Sequence, residues 1–289
     1  MMASVEKTLP WTGKTQQNPQ ETDVFRWNPP HGPKFQLDTA GFQGRVLASR
    51  PTKKDGPGMA DHREKIGILG GSFDPVHLGH LGLAQEIITR LNLDAIWFIP
   101  AWRSPHKQDQ IPAPAQHRMN MLMKALAPFP KFQVSDIELD PENLSYTFDT
   151  LVSLHNRHPD KEWYLLLGMD TFRDFSSWRN ARDILQKVHL AVATRPGFSR
   201  DIIQQTLEVW KKNLSFFYQP DTKENGVQTY HCSESEKKVI FCDIEPLDIS
   251  SREIREALKR GRSVKKMLPA EVEGYIIGHH LYSQSPAAT

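Results

Sequence analysis

From residue 65 onward, short apolar runs alternate with longer segments of mixed polarity. Five runs predict strands, and they are 65–70 (KIGILG), 95–100 (AIWFIP), 132–139 (FQVSDIEL), 163–170 (WYLLLGMD) and 188–197 (VHLAVATRPG). Most of these runs are continuous rather than alternating in apolar character, which is typical of strands that are buried on both faces. The pattern therefore predicts a mostly parallel sheet with both faces covered.

The segments between the runs have the spacing of amphipathic helices. After the first run, Leu81, Ala84, Ile88 and Leu91 fall on one helical face. Further helices are predicted around 115–126, over 145–158 and in the last part of the chain, from residue 249. Strands that alternate with helices indicate a doubly wound α/β domain.

Two regions do not follow this order. Residues 198–240 are predicted to form an extended, hairpin-like excursion with Asn225-Gly226 at its turn. Residues 1–60 carry scattered Pro, Gly, Gln and Lys without a sustained strand or helix period, and such a segment buries too little apolar surface to offset its ordering entropy. We therefore expect a disordered extension over 1–60, with Met59 as a candidate natural start, and a single folded domain over 61–289.

Composition narrows the functional classes. Lysine and arginine number 36 against 34 aspartates and glutamates, which gives no broad basic surface for nucleic acid. Cys232 and Cys242 are too few for a disulfide framework, so a reducing compartment, the cytoplasm, is expected. The chain has no apolar run approaching the roughly 20 residues that cross a bilayer. A soluble protein without membrane contact is the expectation.

The first predicted strand leads into the stretch GILGGSFDPVHLGH at 67–80. Gly70 and Gly71 are expected to form a backbone turn, followed by the hydroxyl of Ser72. His77 and His80 then fall at the start of the next helix, where unpaired N–H groups attract anions.

Three interpretations of this stretch compete. The two histidines could ligate a metal, but no third ligand stands at a suitable spacing, and they could also be core histidines. The stretch fits neither G-x-G-x-x-G nor G-x-x-x-x-G-K-[ST]. The order of strand, double glycine, His-x-Gly-His and helix favours a phosphate site, where imidazolium groups donate to phosphate oxygens and Gly79 lets a nucleotide approach the backbone.

A second motif, ISSREIR, runs from Ile249 to Arg255. Ser250 and Glu253 have the spacing of a capping box, which predicts a helix start with open N–H groups. Arg255 lies one turn into that helix, from where it can reach polyphosphate oxygens with two parallel hydrogen bonds.

Together the two motifs resemble the signatures of the HxGH nucleotidyltransferase superfamily, in the branch of nicotinate and nicotinamide mononucleotide adenylyltransferases, whose second motif is ISSTxIR. Further segments resemble those of the bacterial nicotinate-nucleotide adenylyltransferases and occur in the same order. The first three are FIPAWRSPHKQ with His106 and Lys107, HRMNML with Arg118, and SYTFDTL with Thr147. The next three are LLLGMDTFRDFSSWRNARDIL with Gly168, Asp170 and Trp178, VATRPG with Arg195, and MLPAEVEGYIIGHHLY. The resemblance covers about 65–289. It implies a Rossmann-like sheet and a catalytic domain over 61–289.

The resemblance also implies a reaction and its residues. ATP would give its adenylyl group to nicotinate mononucleotide, forming deamido-NAD and pyrophosphate, with Mg²⁺ accompanying ATP. The implied catalytic residues are His77, His80 and Arg255. Implied ATP-binding residues are Gly70, Gly71, Ser72, Phe73, Gly79, Ile249, Ser250 and Ser251. Implied mononucleotide-binding residues are Lys107, Thr147, Asp170 and Trp178, with Arg118 and Arg195 as further candidates.

Some features depart from the family pattern. Arg252 stands at the threonine of ISSTxIR, Ser104 stands where a proline is frequent, and 198–240 is longer than in compact members. Nicotinamide mononucleotide and phosphopantetheine remain alternative acceptors. A nucleotide-binding regulatory module without turnover is the alternative from a different class. The sequence leaves the oligomeric state open.

Overall fold

The computed structural model describes residues 24–27, 35–38, 63–102, 112–139, 146–194, 200–224, 226–232, 234–245 and 247–283. Within the first 60 residues it describes only two short strands, which pair antiparallel. The other residues of 1–60 lie outside the described segments, so the disordered extension stays a prediction.

The secondary structure follows the predicted alternation. The strands are β1 (Val24–Trp27), β2 (Phe35–Asp38), β3 (Glu64–Gly71), β4 (Ala95–Pro100), β5 (Phe132–Val134), β6 (Lys161–Gly168), β7 (His189–Thr194), β8 (Tyr218–Glu224), β9 (Val227–Cys232) and β10 (Ser235–Asp243). The helices are α1 (Leu78–Arg90), α2 (Ala115–Leu126), α3 (Thr147–Arg157), α4 (Met169–Asp174), α5 (Ala181–Lys187), α6 (Arg200–Leu214), α7 (Ser251–Lys259) and α8 (Ala270–Gly278), with a 3-10 turn at Phe175–Ser177.

Strands β3 to β10 form one sheet in the order β5-β4-β3-β6-β7-β10-β9-β8. The six strands from β5 to β10 in this order pair in parallel, and β9 and β8 extend the sheet antiparallel. The parallel part has the 3-2-1-4-5-6 order of a doubly wound fold, which confirms the predicted fold class. The order reverses between β3 and β6, so the ligand-binding crevice is expected at the carboxyl ends of these two strands.

Both faces of the sheet are buried, which explains the continuous apolar runs. On β4, Ile96 and Phe98 belong to one core cluster, whereas Trp97 and Ile99 belong to a second cluster on the opposite face. Successive strand residues point to opposite faces, and helices cover both, so each position of such a strand is apolar.

The segment 198–240 differs from its prediction in two respects. Its first part is the helix α6, whose buried residues Ile203, Leu207, Trp210 and Leu214 share one face. Its last strand, β10, belongs to the parallel sheet and pairs with β7. The predicted hairpin is confirmed between β8 and β9, where Gly226 has the left-handed φ of 74°.

Both edges of the sheet are poor surfaces for strand pairing. At one edge, β5 has only three residues. At the other, β8 exposes every residue after Tyr218, contains Pro220 and has a register irregularity between Pro220 and Lys223.

The structure also bears on the two cysteines and on membrane-spanning helices. Cys232 and Cys242 are both buried and free, as expected for two small interior residues. No helix in the described segments combines the length and the apolar character needed to traverse a bilayer, and the longest, α6, has 15 residues.

Candidate active site

The chain leaves β3 through a turn that centres on Phe73. Phe73 has a φ of 47°, whereas neither Gly70 nor Gly71 has a positive φ. The prediction that the double glycine makes the turn is therefore wrong, because the left-handed residue is the phenylalanine, which is only 2% exposed and held in place by the core. A Cβ atom on Gly70 would meet no atom within 4 Å. Gly70 thus leaves open space beside the strand end, whereas a Cβ atom on Gly71 would contact the Phe73 ring at 3.4 Å.

The two histidines stack at the start of α1. Their ring centroids are 3.7 Å apart, and Phe73 and His80 pack in an edge-to-face arrangement with 5.0 Å between their ring centroids. The backbone N–H of His77 donates to Nδ1 of His80 over 3.3 Å. Because Nδ1 accepts this bond, a neutral His80 ring would carry its proton on Nε2.

His77 has a different environment. It is 6% exposed, and its Nδ1 has no hydrogen-bond partner among the described residues. Burial lowers the pKa of His77 from 6.5 to about 4, while Glu253 opposes that shift in part. The ligand-free ring is therefore neutral near pH 7, contrary to the imidazolium expected from the sequence. A phosphate beside the ring would stabilise its protonated form.

Gly79 allows the close packing of this turn. A Cβ atom at this position would lie 3.0 Å from Nδ1 of His77 and 3.4 Å from the carbonyl oxygen of Leu247. Any larger residue would therefore displace the His77 ring. This requirement adds to the predicted approach of a nucleotide, which stays a prediction.

The helix α7 places the second motif against the first. Ser250 accepts from the backbone N–H of Glu253 over 3.2 Å, and the Glu253 carboxylate accepts from the backbone N–H of Ser250 over 3.1 Å. This reciprocal pair confirms the predicted capping box.

Two long-range hydrogen bonds join α7 to the Phe73 turn. The hydroxyl of Ser251 donates to the carbonyl of Pro75 over 2.9 Å, and Nη1 of Arg255 donates to the carbonyl of Asp74 over 2.6 Å. Residues that are 176 and 181 positions apart thus meet at one strand end. Near this strand end, His80 is half-buried, Ser250 is exposed and Arg255 is partly buried.

Arg118, a candidate ligand-binding residue, instead donates hydrogen bonds to the backbone of this region. It is 1% exposed and donates to the carbonyls of Ser72, Ala101, Ala113 and Trp102 over 2.8, 2.7, 3.0 and 3.3 Å. Burial lowers the pKa of Arg118, while Asp74 opposes the shift. Its donors are used by the ends of β3 and β4, which makes it a structural group rather than a ligand contact.

Among the candidates for the mononucleotide, Asp170 lies just after the carboxyl end of β6. Asp170 is exposed in the first turn of α4, which directly follows β6. Thr147 begins α3, and Trp178 is half-buried and packs 5.2 Å from Phe175.

Neighbouring side chains connect α3 with the Trp178 segment. The Arg179 guanidinium lies 4.7 Å from the ring centroid of Tyr146 and bonds Asp149 over 3.3 Å. Thr147 and Trp178, each adjacent to one of these partners, therefore lie on the same side of the domain. Lys107, His106 and Arg195 lie outside the described residues.

The donor set does not form a protein-built metal cage. Within the described segments, no three His, Cys, Asp or Glu side chains come together. A Mg²⁺ ion that enters on ATP needs few protein ligands, because it keeps several waters and binds the phosphate oxygens. The residues present therefore fit an ion held mainly by its nucleotide.

Sequence reasoning missed two residues near the site. Asp74 is 7% exposed and accepts bonds from both Arg255 and Tyr282. Asp74 stands inside the first motif, so the motif itself was a signal. Tyr282 is more than 200 positions away, and only the fold brings it near.

The buried histidines predict a pH-dependent stability. His77 has a pKa of about 4 in the fold against 6.5 in an unfolded chain. The unfolded chain thus binds more protons between these values, so the fold loses stability as the pH falls through this range. We expect a loss of about 2 kcal/mol from this group between pH 7 and pH 5. Urea unfolding at both pH values measures the change.

A variant tests whether His77 is the source of this pH dependence. His77→Asn should flatten the pH dependence, and an unchanged dependence would contradict the assignment. A residual slope is expected from His189, whose Nδ1 accepts from the N–H of Lys238 over 3.1 Å. Burial also lowers the pKa of His189, although Glu162 opposes the shift, so its effect has the same sign.

Comparison with known proteins identifies the family. The cytidylyltransferase-like family matches residues 68–257. A protein of Clostridium tetani named probable nicotinate-nucleotide adenylyltransferase is 35% identical over 219 residues, which are 76% of this chain and 99% of that protein. A protein of the same name from Syntrophotalea carbinolica is 38% identical over 218 residues, 75% of this chain and 97% of that protein.

A solved structure has the same fold. It is the Plasmodium falciparum nicotinic acid mononucleotide adenylyltransferase complexed with NaAD, with a TM-score of 0.57 and 22% identity, and the match covers 76% of this chain and 97% of the other. The sequence matches extend over most of the described domain and almost the whole length of the bacterial relatives. The chain belongs to the cytidylyltransferase-like family and, within it, to the nicotinate-nucleotide adenylyltransferases.

Proposed function

We propose that the crevice beside β3 transfers the adenylyl group of ATP to nicotinate mononucleotide, forming deamido-NAD and pyrophosphate in NAD biosynthesis. This is the activity of the family to which the chain belongs. The observation that carries the assignment of the site is that Ser251 and Arg255 of α7 bond the carbonyls of Pro75 and Asp74, in the turn that leads directly to the stacked histidines.

The reaction needs little covalent chemistry from the protein. The phosphate of the mononucleotide attacks the α-phosphorus of ATP in line, and pyrophosphate leaves from the opposite side. A phosphate monoester has a second pKa of about 6, so it is mostly dianionic near pH 7 and needs no general base. Catalysis then consists of positioning the reactants and stabilising the charge that builds up on the α-phosphoryl oxygens.

His80 is the residue that would face the α-phosphoryl group. Its Nδ1 accepts from the backbone N–H of His77, which orients the ring, and in a neutral ring Nε2 would carry the proton offered to the phosphate. His77, which is buried and neutral without a ligand, would gain a proton when the polyphosphate is bound. Its charge would then be greatest where the reaction needs it.

The rest of the ATP site would be formed by backbone groups and α7. The open strand end from Gly70 to Phe73, together with Gly79, would receive the nucleotide, and Ile249, Ser250 and Ser251 would contact the β- and γ-phosphates at the helix start. Arg255 would bind the same phosphates through the guanidinium nitrogens that Asp74 leaves open. Mg²⁺ on ATP would neutralise part of the phosphate charge.

The acceptor would lie toward β6. Trp178 would stack on the pyridine ring, an interaction that is worth about 1–3 kcal/mol for a base on an aromatic side chain. Asp170 and Thr147 would contact the ribose or phosphate of the mononucleotide, and Lys107 would contact its phosphate. Cytoplasmic location belongs to this proposal as well.

Pyrophosphate release with ATP and one acceptor at a time tests the function. Nicotinate mononucleotide should give the highest kcat/KM, above nicotinamide mononucleotide, and phosphopantetheine should give no turnover. Absence of turnover with either pyridine mononucleotide would contradict the proposal. ATP binding without turnover would favour a regulatory module, and a preference for the amide would change the acceptor while keeping the reaction.

A further inference from the structure

The C-terminal end of the described chain reaches into the active-site turn. After α8, the hydroxyl of Tyr282 donates to Oδ1 of Asp74 over 2.6 Å. Burial and the neighbouring Asp74 carboxylate raise the pKa of Tyr282 above its usual value. The phenol therefore keeps its proton near pH 7 and acts as a stable donor to the carboxylate.

Asp74 is the link between this tyrosine and the phosphate site. Its Oδ1 also accepts from the backbone N–H of Ala113 over 3.1 Å. Its Oδ2 lies 3.6 Å from Nη1 of Arg255, which is within the range of an ion pair but longer than a hydrogen bond. The same Nη1 instead donates to the Asp74 carbonyl over 2.6 Å.

The two oxygens of one carboxylate thus have unequal partners. Two donors hold Oδ1, which fixes the plane of the carboxylate and keeps Oδ2 out of hydrogen-bond range of Arg255. A carboxylate that is free to turn toward an arginine forms two parallel, charge-assisted hydrogen bonds with it. Such a pair would occupy the guanidinium nitrogens that face solvent.

We propose that Tyr282 is a positioning residue that holds the Asp74 carboxylate away from Arg255 and so keeps the guanidinium available for the polyphosphate of ATP. This inference rests on the proposed function, because it takes Arg255 to be a phosphate contact. In this proposal, the C-terminal segment contributes to the affinity for ATP in addition to its packing.

A second contact ties the same segment to the turn. The backbone N–H of Leu78, the first residue of α1, donates to the carbonyl of Met267 over 3.0 Å. The residues on either side of α8 therefore both contact the loop that carries the histidines, so hydrogen bonds join the C-terminal segment to this loop at two points.

Steady-state kinetics of pyrophosphate release by Tyr282→Phe tests the inference. Loss of the hydroxyl lets Asp74 pair with Arg255 and compete with ATP, so KM for ATP should rise about tenfold. The double variant Tyr282→Phe/Asp74→Asn should bring KM for ATP back to within about threefold of wild type, because a neutral amide is a weak competitor for the guanidinium.

Tyr275→Phe is the matched control. Tyr275 lies on α8 and also loses a bonded hydroxyl, which accepts from Nδ2 of Asn120 over 2.8 Å and lies 2.9 Å from Nδ1 of His117. Both of these hydroxyl partners belong to α2, so KM for ATP of this variant should equal that of wild type. Both single variants should lower the unfolding midpoint by a similar amount.

The outcomes separate the two proposals. If wild type turns over but Tyr282→Phe keeps KM for ATP within twofold, or the double variant is not rescued, the positioning role is overturned while the function stands. Absence of turnover in wild type overturns the function instead.

If Tyr282→Phe does not fold, Asp74→Asn alone replaces it. KM for ATP at or below the wild-type value supports the inference, and any clear rise overturns it.

Discussion

His80→Ala is expected to lower kcat by about a hundredfold to a thousandfold, with little change in the unfolding midpoint. In the proposed function, the Nε2–H of this side chain would face the charge that develops on the α-phosphoryl group, and removing one preorganised donor of this kind typically costs that factor. The backbone of His77 and the ring of Phe73 fix the orientation of the His80 ring. A water molecule that fills the space in the alanine variant is not held in this orientation. Pyrophosphate release under saturating ATP and nicotinate mononucleotide measures the effect.

The control for this prediction is His231→Ala. His231 is exposed on β9, in the antiparallel part of the sheet. Its removal should leave kcat unchanged. A kcat of His80→Ala within threefold of wild type would remove His80 from the catalytic residues, and a collapse of the fold in the same variant would assign it a structural role.

Arg118→Met is expected to have the largest effect on stability, a loss of about 3–5 kcal/mol in the free energy of unfolding. Methionine fills much of the volume but supplies no donors. The carbonyls of Ser72, Ala101 and Ala113 would then lose short hydrogen bonds inside the protein. Each buried acceptor left without a partner costs about 1–3 kcal/mol, which removal of the buried charge offsets in part. Urea unfolding followed by circular dichroism measures the loss.

Arg260→Met provides the matched comparison. Arg260 is 60% exposed and lies 3.7 Å from Glu256, and such surface pairs contribute at most about 1 kcal/mol. Arg118→Lys should fall between the two variants, because an ammonium group reaches fewer of these carbonyls. A stability loss of Arg118→Met no larger than that of Arg260→Met would show that the carbonyls find other donors.

Much of the fold follows from local sequence, because the deciding features are short in range. The periods that distinguish buried strands from amphipathic helices place β4 and α2 at the predicted residues. The capping box at Ser250 is likewise a matter of two side chains three positions apart.

The site is less predictable because it depends on burial and on distant partners. The sequence indicates two histidines near phosphate, but it does not indicate that His77 is buried enough to be neutral. It marks Arg118 as a cation without showing that carbonyls from two strand ends surround it. The sequence also predicts that Gly70 and Gly71 form the turn, whereas core packing imposes the unusual φ on Phe73.

The helix α6 was missed for a different reason. Its four buried apolar residues share one face, but polar residues fill most other positions, so the segment contains no long apolar run. A search for runs of apolar residues finds strands in such a fold more readily than it finds solvent-facing helices.

The edges of the sheet bear on how the protein behaves at high concentration. An unpaired strand edge is a template on which a second chain can add by main-chain hydrogen bonding, which is a route to fibrous aggregates. In this chain β5 is too short to serve as such a template, and Pro220 removes an N–H from β8 where the strand is also irregular. Concentrated solutions of the folded protein are therefore expected to resist growth through sheet edges.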